Sequence, residues 1–143
     1  MPFDEPYRIP PGTARAIRRV RACGGRVVAV GTTVVRALEH AAMPNGRVRE
    51  GERLATQRIG PATPIRVVDA ILTGVYEAGT SHYELLRAFA DDATLNRVET
   101  ELAMHGYRTH EFGDSVHVER QKVRRFVPAA IPPPGHRTAG SVL

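Results

Sequence analysis

The stretch GGRVVAVGTTVVRALE, from Gly24 to Glu39, decides the predicted fold. Its residues Arg26 to Val30 form a short run dense in β-branched side chains, which predicts a buried strand. The strand enters a tight turn, Gly31-Thr32-Thr33, and a helix follows the turn. The apolar face of that helix is predicted to hold Val34, Leu38 and Ala41. A strand, a glycine turn and a helix in this order are typical of α/β proteins.

Three further helices and several short strands are predicted around this unit. One helix runs from about Pro11 to Ala22, a second is capped by Thr80 or Ser81, and a third is capped by Asp91 or Asp92. Short strands are predicted at residues 55–59, 65–71, 107–112 and 115–119, with a loop at 72–82. A turn is predicted at Asn45-Gly46. Because strands alternate with helices, we expect an α/β fold with a small sheet and flanking helices.

The first of these helices has an apolar stripe and a basic face. The stripe consists of Ala14, Ile17 and Val20, and the opposite side carries Arg15, Arg18 and Arg19. A solvated surface is the simpler interpretation of these arginines, and contact with RNA is the alternative.

Charge divides the chain into a neutral body and a basic tail. The sequence has 20 basic and 15 acidic residues, and five of the basic ones lie in residues 120–143, which contain no acid. Residues 1–119 therefore carry no net charge, and we expect them to form a partial α/β domain rather than a basic nucleic-acid module. Residues 120–143 are rich in proline and are predicted to be disordered. This tail either adds affinity for RNA phosphates or only improves solubility, and the residues leave both open.

Composition excludes several other classes of protein. With 143 residues, of which 42% are hydrophobic and 24% charged, the chain has the length and core of one folded domain. No apolar run approaches the ~20 residues of a membrane helix, and the N-terminus has no apolar signal segment, so we expect a cytoplasmic protein without a membrane partner. The single cysteine, Cys23, excludes an internal disulfide framework. The six histidines show no metal-binding spacing, so no metal site is predicted.

The Gly31-Thr32-Thr33 turn is the first candidate binding site. Free backbone N–H groups and the positive end of a helix dipole meet there, which suits a carboxylate or a phosphate. An ordinary capped helix is the alternative. The turn lacks the glycines of a dinucleotide fingerprint and the lysine of a phosphate loop, so nicotinamide and nucleoside-triphosphate sites have little support.

A second candidate is the segment from His110 to Ser115. It places a histidine, two carboxylates and an aromatic ring around a glycine turn, in the kind of loop that carries catalytic groups. The alternative is that Asp114 is an ordinary turn residue.

Several motifs in this chain, taken in order, resemble the S-adenosylmethionine:tRNA ribosyltransferase-isomerase family of queuosine biosynthesis. The resemblance extends from about Tyr7 to Val118, and GGRVVAVGTTVVRALE is its strongest piece. The other pieces are YRIPPGTARAI (7–17), IRVVDAILTG (65–74), LLRAF (85–89) and YRTHEFGDS (107–115).

The resemblance implies the fold and the reaction of that family. The chain would form the C-terminal part of the family's larger α/β domain, without the β-barrel inserted in the preceding part. The family transfers the ribosyl group of S-adenosylmethionine to 7-aminomethyl-7-deazaguanine in tRNA and isomerises it, which gives epoxyqueuosine and releases adenine and methionine. No cofactor is needed, because S-adenosylmethionine is a substrate.

The resemblance also supplies positions, and the chemistry of the reaction suggests their roles. The matching positions are Gly31, Thr32, Thr33, Arg36, Asp69, Thr73, Gly113 and Asp114. The methionyl carboxylate suits the Thr32-Thr33 turn or Arg36. The sulfonium needs an aromatic face or a carboxylate, which Tyr76, Phe112, Glu111 or Asp114 would provide. Proton removal beside the sulfonium needs a base, for which Asp114 is the first candidate and His110 the second.

Two departures from the family pattern bear on activity. Family members are more than twice as long, so a second chain that supplies the N-terminal part, or self-association, is expected. In residues 74–81, Tyr76 replaces the family's histidine and Ala78 its proline. The chain is therefore either a truncated or split transferase-isomerase or an inactive module that binds S-adenosylmethionine or RNA, and the residues leave its status as an enzyme open.

Overall fold

The stretch from Gly24 to Glu39 folds into the predicted strand, turn and helix. The computed structural model describes residues 3–109 and 113–121, and within them the chain forms five strands and four helices. In chain order these are β1 (Glu5–Ile9), α1 (Pro11–Ala22), β2 (Val28–Val30), α2 (Thr32–Ala41), β3 (Gly51–Ala55), β4 (Ala70–Gly74), α3 (Ser81–Leu86), α4 (Asp92–Met104) and β5 (Ser115–Glu119). This element order confirms the predicted α/β fold.

Two sheets organise these elements. β1 and β3 form an antiparallel pair, and β2, β4 and β5 form a three-stranded sheet with β4 in the centre. β2 runs parallel to β4, with Val30 opposite Leu72, whereas β5 runs antiparallel to β4. Helix α2 contacts strands of both sheets and so joins them.

The core lies on the side of the three-stranded sheet that faces α2. Val35 of α2 and Ile71 of β4 are fully buried there. By contrast, Val28 is 48% exposed and Val30 is 67% exposed, so the prediction that this strand is buried is wrong. β2 is an edge strand whose alternate side chains point away from α2, and none of the described elements covers them.

Helix α2 begins at the predicted turn but presents a different valine to the core. Val34 is 41% exposed, whereas Val35, Leu38 and Ala41 are buried. Two adjacent valines fit a helical stripe equally well in the sequence. Only the position of the sheet decides which of them faces inward.

Two strands lie at other positions than predicted. The strand expected at 55–59 is β3, and the strand expected at 65–71 is β4, so the predicted loop at 72–82 begins only after Gly74. Val67 and Val68 are fully buried but outside a strand, because their N–H groups donate to the Glu39 carboxylate at 2.8 Å. β3 begins four residues before its predicted start because its exposed sequence has no apolar run, and its position is set by pairing with β1.

The helix boundaries follow the predictions. α1 ends where Gly24 adopts a φ of 71° and the N–H of Gly25 donates to the Val20 carbonyl at 2.8 Å. The Thr80 hydroxyl accepts from the Tyr83 N–H at 3.2 Å, and Asp91 accepts from the Thr94 N–H at 2.8 Å. Residues 107–109 do not form the predicted strand, and residues 110–112 lie outside the described part of the chain.

Two backbone hydrogen bonds join residues 120 and 121 to the rest of the described chain. The N–H of Arg120 donates to the Asp69 carbonyl at 2.8 Å, and the N–H of Gln121 donates to the Phe89 carbonyl at 2.8 Å. The rest of the predicted tail lies outside the described residues. In the described ranges, none of the helices has both the length and the apolar content to cross a membrane.

Candidate functional site

Three segments meet at one edge of the three-stranded sheet. Because β2 and β4 are parallel, both end there, and the antiparallel β5 begins there. The N–H of Gly31 donates to the Leu72 carbonyl at 2.8 Å, and the N–H of Val75 donates to the Asp114 carbonyl at 3.2 Å. We call this edge, formed by residues 31–33, 74–76 and 113–114, the Gly31 edge. The carboxyl ends of parallel strands are where α/β proteins bind ligands.

The first turn of α2 opens this edge to a ligand. Gly31 has a φ of 88°, a conformation that favours glycine, and no side chain caps the helix. Among the described residues, none accepts from the backbone N–H groups of Thr32 and Thr33. A Cβ added to Gly31 would meet no atom within 4 Å, so the space in front of the turn is open. The turn therefore presents free donors and the positive end of a helix dipole.

A cavity of about 260 Å³ lies beside this turn. Its polar lining comes from three parts of the chain: Glu5 on β1, Thr32 and Arg36 on α2, and Ser81 and His82 on α3. The Tyr76 ring stacks on the His82 ring, with centroids 4.2 Å apart and planes 11° apart. The predicted residues Thr32, Arg36 and Tyr76 are thus brought to one place.

Arg36 is buried, with 5% of its surface exposed, and most of its donors serve the chain itself. Its guanidinium donates to the carbonyls of Phe3, Ala55 and Gln57 at 2.9, 3.2 and 3.4 Å. It also pairs with the Glu5 carboxylate at 2.9 Å. Arg36 therefore fastens β1 and the segment after β3 to α2, a role that its sequence context did not indicate.

Two atoms of this ion pair are left over. Arg36 Nε and Glu5 Oε2 are buried and have no hydrogen-bond partner in the described chain. Buried polar groups without partners are uncommon and destabilising, and both residues line the cavity. One atom is a donor and the other an acceptor. The pair therefore suits a ligand that carries both an anionic and a cationic group.

Asp114 is held at the edge by a local loop. Its Oδ2 accepts from the Arg108 N–H at 2.8 Å, and its own N–H donates to the Arg108 carbonyl at 3.0 Å. A Cβ on Gly113 would lie 2.3 Å from that carbonyl, so only glycine fits this close approach. The predicted residues His110 and Phe112, together with Glu111, lie outside the described residues.

Asp69 and Thr73, also predicted as site residues, do not line this cavity. Asp69 precedes β4, at the opposite end of the sheet, where it accepts from the Val27 N–H at 2.9 Å and pairs with Arg120 at 3.1 Å. Thr73 is 6% exposed and lies within β4, opposite Val116.

Sequence reasoning missed Glu5, Ser81 and His82. Ser81 and His82 directly follow the Thr80 cap, so the polar residues at a predicted helix start could have indicated them as site residues. Glu5 gave no local signal, because its position depends on the pairing of β1 with the distant β3. Within residues 3–109 and 113–121, no cluster of three or more His, Cys, Asp or Glu side chains is placed to hold a metal ion.

Relatives of this chain share both its sequence and its fold. The S-adenosylmethionine:tRNA ribosyltransferase-isomerases of Citrifermentans bemidjiense and Ralstonia nicotianae are 43% and 39% identical to it, over 80% and 82% of this chain. The structure of S-adenosylmethionine tRNA ribosyltransferase from Thermotoga maritima superposes with a TM-score of 0.69 and 32% identity, over 78% of this chain and 39% of that one.

The match covers a limited part of these relatives. The chain spans about a third of their length, 33% in both curated proteins. A family model described as queuosine biosynthesis protein matches residues 2–118, which is most of the chain. This chain belongs to the queuosine biosynthesis protein family.

Proposed function

We propose that the Gly31 edge and its cavity bind S-adenosylmethionine as the ribosyl donor for a base in tRNA. The reaction is that of an S-adenosylmethionine:tRNA ribosyltransferase-isomerase, which gives epoxyqueuosine and releases adenine and methionine. The observation that carries the proposal is the uncapped start of α2 beside the unpaired atoms of Glu5 and Arg36. We expect the reaction to take place in the cytoplasm.

The methionyl end of S-adenosylmethionine matches these groups in charge. Its carboxylate would accept from the free N–H groups of Thr32 and Thr33, where the helix dipole favours an anion. Its ammonium would pair with Glu5 Oε2, which has no other partner in the described chain. Such charge-assisted hydrogen bonds are stronger than neutral ones.

The sulfonium and the reacting ribose would lie towards Tyr76 and Asp114. The face of the Tyr76 ring that His82 does not cover offers a cation–π contact to the sulfonium. Asp114 Oδ1 has no hydrogen bond within the described residues, so it is available to take a proton beside the sulfonium. His110 is the second candidate for that base, and Phe112 a second aromatic neighbour.

The site is completed by further polypeptide, in our proposal. Val28, Val30 and Leu72 are 48%, 67% and 39% exposed, and they form an apolar patch on the uncovered face of the sheet. The same face ends at β2, an edge strand with unpaired backbone groups. Polypeptide equivalent to the other two thirds of the relatives, on a second chain, would cover this patch. Self-association is the alternative cover.

The second candidate function is an inactive module that binds S-adenosylmethionine or RNA. It is favoured by two features of the site. Arg36 spends most of its donors on the chain's own carbonyls and on Glu5. Tyr76 also occupies the position where the family has a histidine.

The test separates binding from turnover. Calorimetry measures S-adenosylmethionine binding to the 143-residue chain, and chromatography measures adenine release in the presence of tRNA that carries the 7-aminomethyl-7-deazaguanine base. We expect binding by the chain alone, and adenine release once the unmatched part of the Citrifermentans bemidjiense relative is added as a second polypeptide. Binding without release under both conditions would favour the inactive module. No binding at millimolar S-adenosylmethionine would reject the donor site and leave only a module that binds RNA.

A further inference from the structure

A second and larger cavity, of about 540 Å³, lies between α1 and the turn that follows α2. Its charged lining consists of five arginines and one glutamate: Arg15, Arg18, Arg21, Arg47, Arg49 and Glu50. We call this cavity the arginine groove. Its two walls come from different parts of the chain, since α1 forms one and residues 45–50 form the other. The N–H of Arg49 donates to the Ala41 carbonyl at 3.0 Å, which holds the second wall against the end of α2.

Four arginines of the groove have no partner of their own. Within the described chain, no carboxylate lies within 4.0 Å of Arg15, Arg18, Arg47 or Arg49, and no hydrogen bond engages their side chains. Arg21 is different, since its guanidinium donates to the carbonyls of Arg66 and Val67.

Several arginines outside the groove are paired with carboxylates. Arg26 pairs with Glu119 at 2.9 Å, Arg87 with Asp92 at 2.7 Å and Arg120 with Asp69 at 3.1 Å. The body is neutral as a whole, so the positive charge of the groove reflects placement and not composition. Like charges that face one another across a concave surface repel, and a bound polyanion removes that repulsion.

The chemistry of the groove fits a chain of phosphates better than a single anion. Guanidinium groups bind phosphate oxygens through two parallel N–H donors. On α1, Arg15 and Arg18 are three residues apart and so are neighbours on one face. On the other wall, Arg47 and Arg49 are separated by Val48, which forms an isolated antiparallel bridge with Ala42. Charges repeated along two walls match a ligand that carries repeated negative charge.

We propose that the arginine groove binds the sugar–phosphate backbone of the tRNA substrate. The inference rests on the proposed function for the identity of the polyanion. Contacts to phosphates position a nucleic acid without reading its sequence. The groove lies towards the end of the sheet where Arg21 approaches Asp69, away from the Gly31 edge. It would therefore anchor tRNA at a distance from the base that reacts.

The experiment compares matched pairs of charge removals in the 143-residue chain. Anisotropy of fluorescently labelled tRNA gives the affinity between 50 and 200 mM salt for R15Q/R18Q, for R47Q/R49Q and for the control R53Q/R97Q. Each variant removes two positive charges, but Arg53 and Arg97 lie outside α1 and do not line the groove. Circular dichroism checks that every variant folds.

We expect both groove variants to weaken tRNA binding by about tenfold and to lower the slope of log affinity against log salt by about 1 to 2, since each phosphate contact contributes about 0.7 to 0.9. The control should change affinity by less than about threefold. Equal losses in groove variants and control would overturn the proposal, as would absence of tRNA binding by the unsubstituted chain. Competition by polyglutamate as strong as that by unlabelled tRNA would assign the groove to an acidic protein and overturn it too.

Failure of this proposal is distinguishable from failure of the proposed function. A chain that binds tRNA through the groove but does not bind S-adenosylmethionine supports the groove and rejects the donor site. A chain that binds S-adenosylmethionine while its groove variants behave like the control does the reverse.

Discussion

The two ends of the three-stranded sheet differ in whether their backbone N–H groups have acceptors. At the end that we call the Asp69 end, formed by residues 27, 66–69 and 120, carboxylates close the free backbone donors. Glu39 accepts from the N–H groups of residues 66, 67 and 68 at 2.8 Å, and Asp69 accepts from Val27 at 2.9 Å. At the Gly31 edge, the N–H groups of the first turn of α2 have no acceptor within the described chain. Buried side-chain atoms without a partner occur near both ends: Arg21 Nε near Asp69, and Arg36 Nε and Glu5 Oε2 in the cavity beside the Gly31 edge.

The difference separates residues that maintain the fold from residues that are available to a ligand. Satisfied hydrogen bonds stabilise a fold, whereas unsatisfied donors and acceptors reduce stability unless something else binds them. Polar residues predicted from one sequence motif can therefore serve either purpose. Asp69 accepts a hydrogen bond from the chain itself at the Asp69 end, whereas the Thr32-Thr33 turn at the Gly31 edge keeps free N–H groups.

The largest effect on stability should come from the Asp69 end. Replacing Glu39 by Ala leaves three backbone N–H groups without an acceptor, and two of them, on Val67 and Val68, belong to fully buried residues. We expect the free energy of unfolding to fall by about 3 kcal/mol, as measured by urea denaturation. Glu77→Ala, which removes an exposed glutamate, should change it by less than about 0.5 kcal/mol. Equal losses in the two variants would remove the distinction between the ends.

A smaller effect on stability is expected at the turn of the Gly31 edge. Gly31→Val forces a β-branched residue to a φ of 88°, and we expect the free energy of unfolding to fall by about 2 kcal/mol. Thermal or urea unfolding measures the change. Gly12→Val is the control, because Gly12 has open space around it and no positive φ. If Gly31→Val unfolds like Gly12→Val, the turn does not require glycine, and the Gly31 edge is less constrained than its geometry indicates.

The smallest effect is on the way the Tm depends on pH. Hydrogen bonds from the side chain and the backbone N–H of Thr94 hold the pKa of Asp91 below its ordinary value of 3.8. Because the folded pKa is lowered, this stabilisation is present above the unfolded pKa and is lost as the pH falls through the folded one. Asp91→Asn keeps a good cap without a titrating group, so its Tm should fall less between pH 5 and pH 2.5. Asp4→Asn, the control, should follow the unsubstituted chain. Identical pH profiles for all three proteins would contradict the prediction.

Local patterns predicted the elements that depend on neighbouring residues. The bounds of α1, the caps at Thr80 and Asp91, and the strand–turn–helix unit around Gly31 all follow from residues close in sequence. The pairing of β1 with β3 does not, because its partners are more than 40 residues apart and neither strand has an apolar run. The exposure of Val30 depends on β2 lying at the edge of the sheet, which only the strand order determines.

The site was predictable to the same extent. The Gly31-Thr32-Thr33 turn is predictable because the sequence indicates a helix start directly after a strand. Glu5 and Arg36 are 31 positions apart in the sequence, and their ion pair depends on both sheets packing against α2. No short sequence motif predicts it. Asp69 and Asp114 look alike as loop carboxylates, and only the topology places them at opposite ends of β4.

The central claim is that free backbone N–H groups at the start of α2 bind the donor carboxylate. Thr32→Pro removes one of these N–H groups, while proline at the first helical position and the ψ of 152° at Gly31 keep the backbone as it is. Thr32→Ala, the matched control, loses the hydroxyl but keeps the N–H. By calorimetry, we expect Thr32→Ala to bind S-adenosylmethionine within about threefold of the unsubstituted chain, and Thr32→Pro to bind at least about tenfold more weakly. Equal affinity of the two variants for S-adenosylmethionine would contradict the claim.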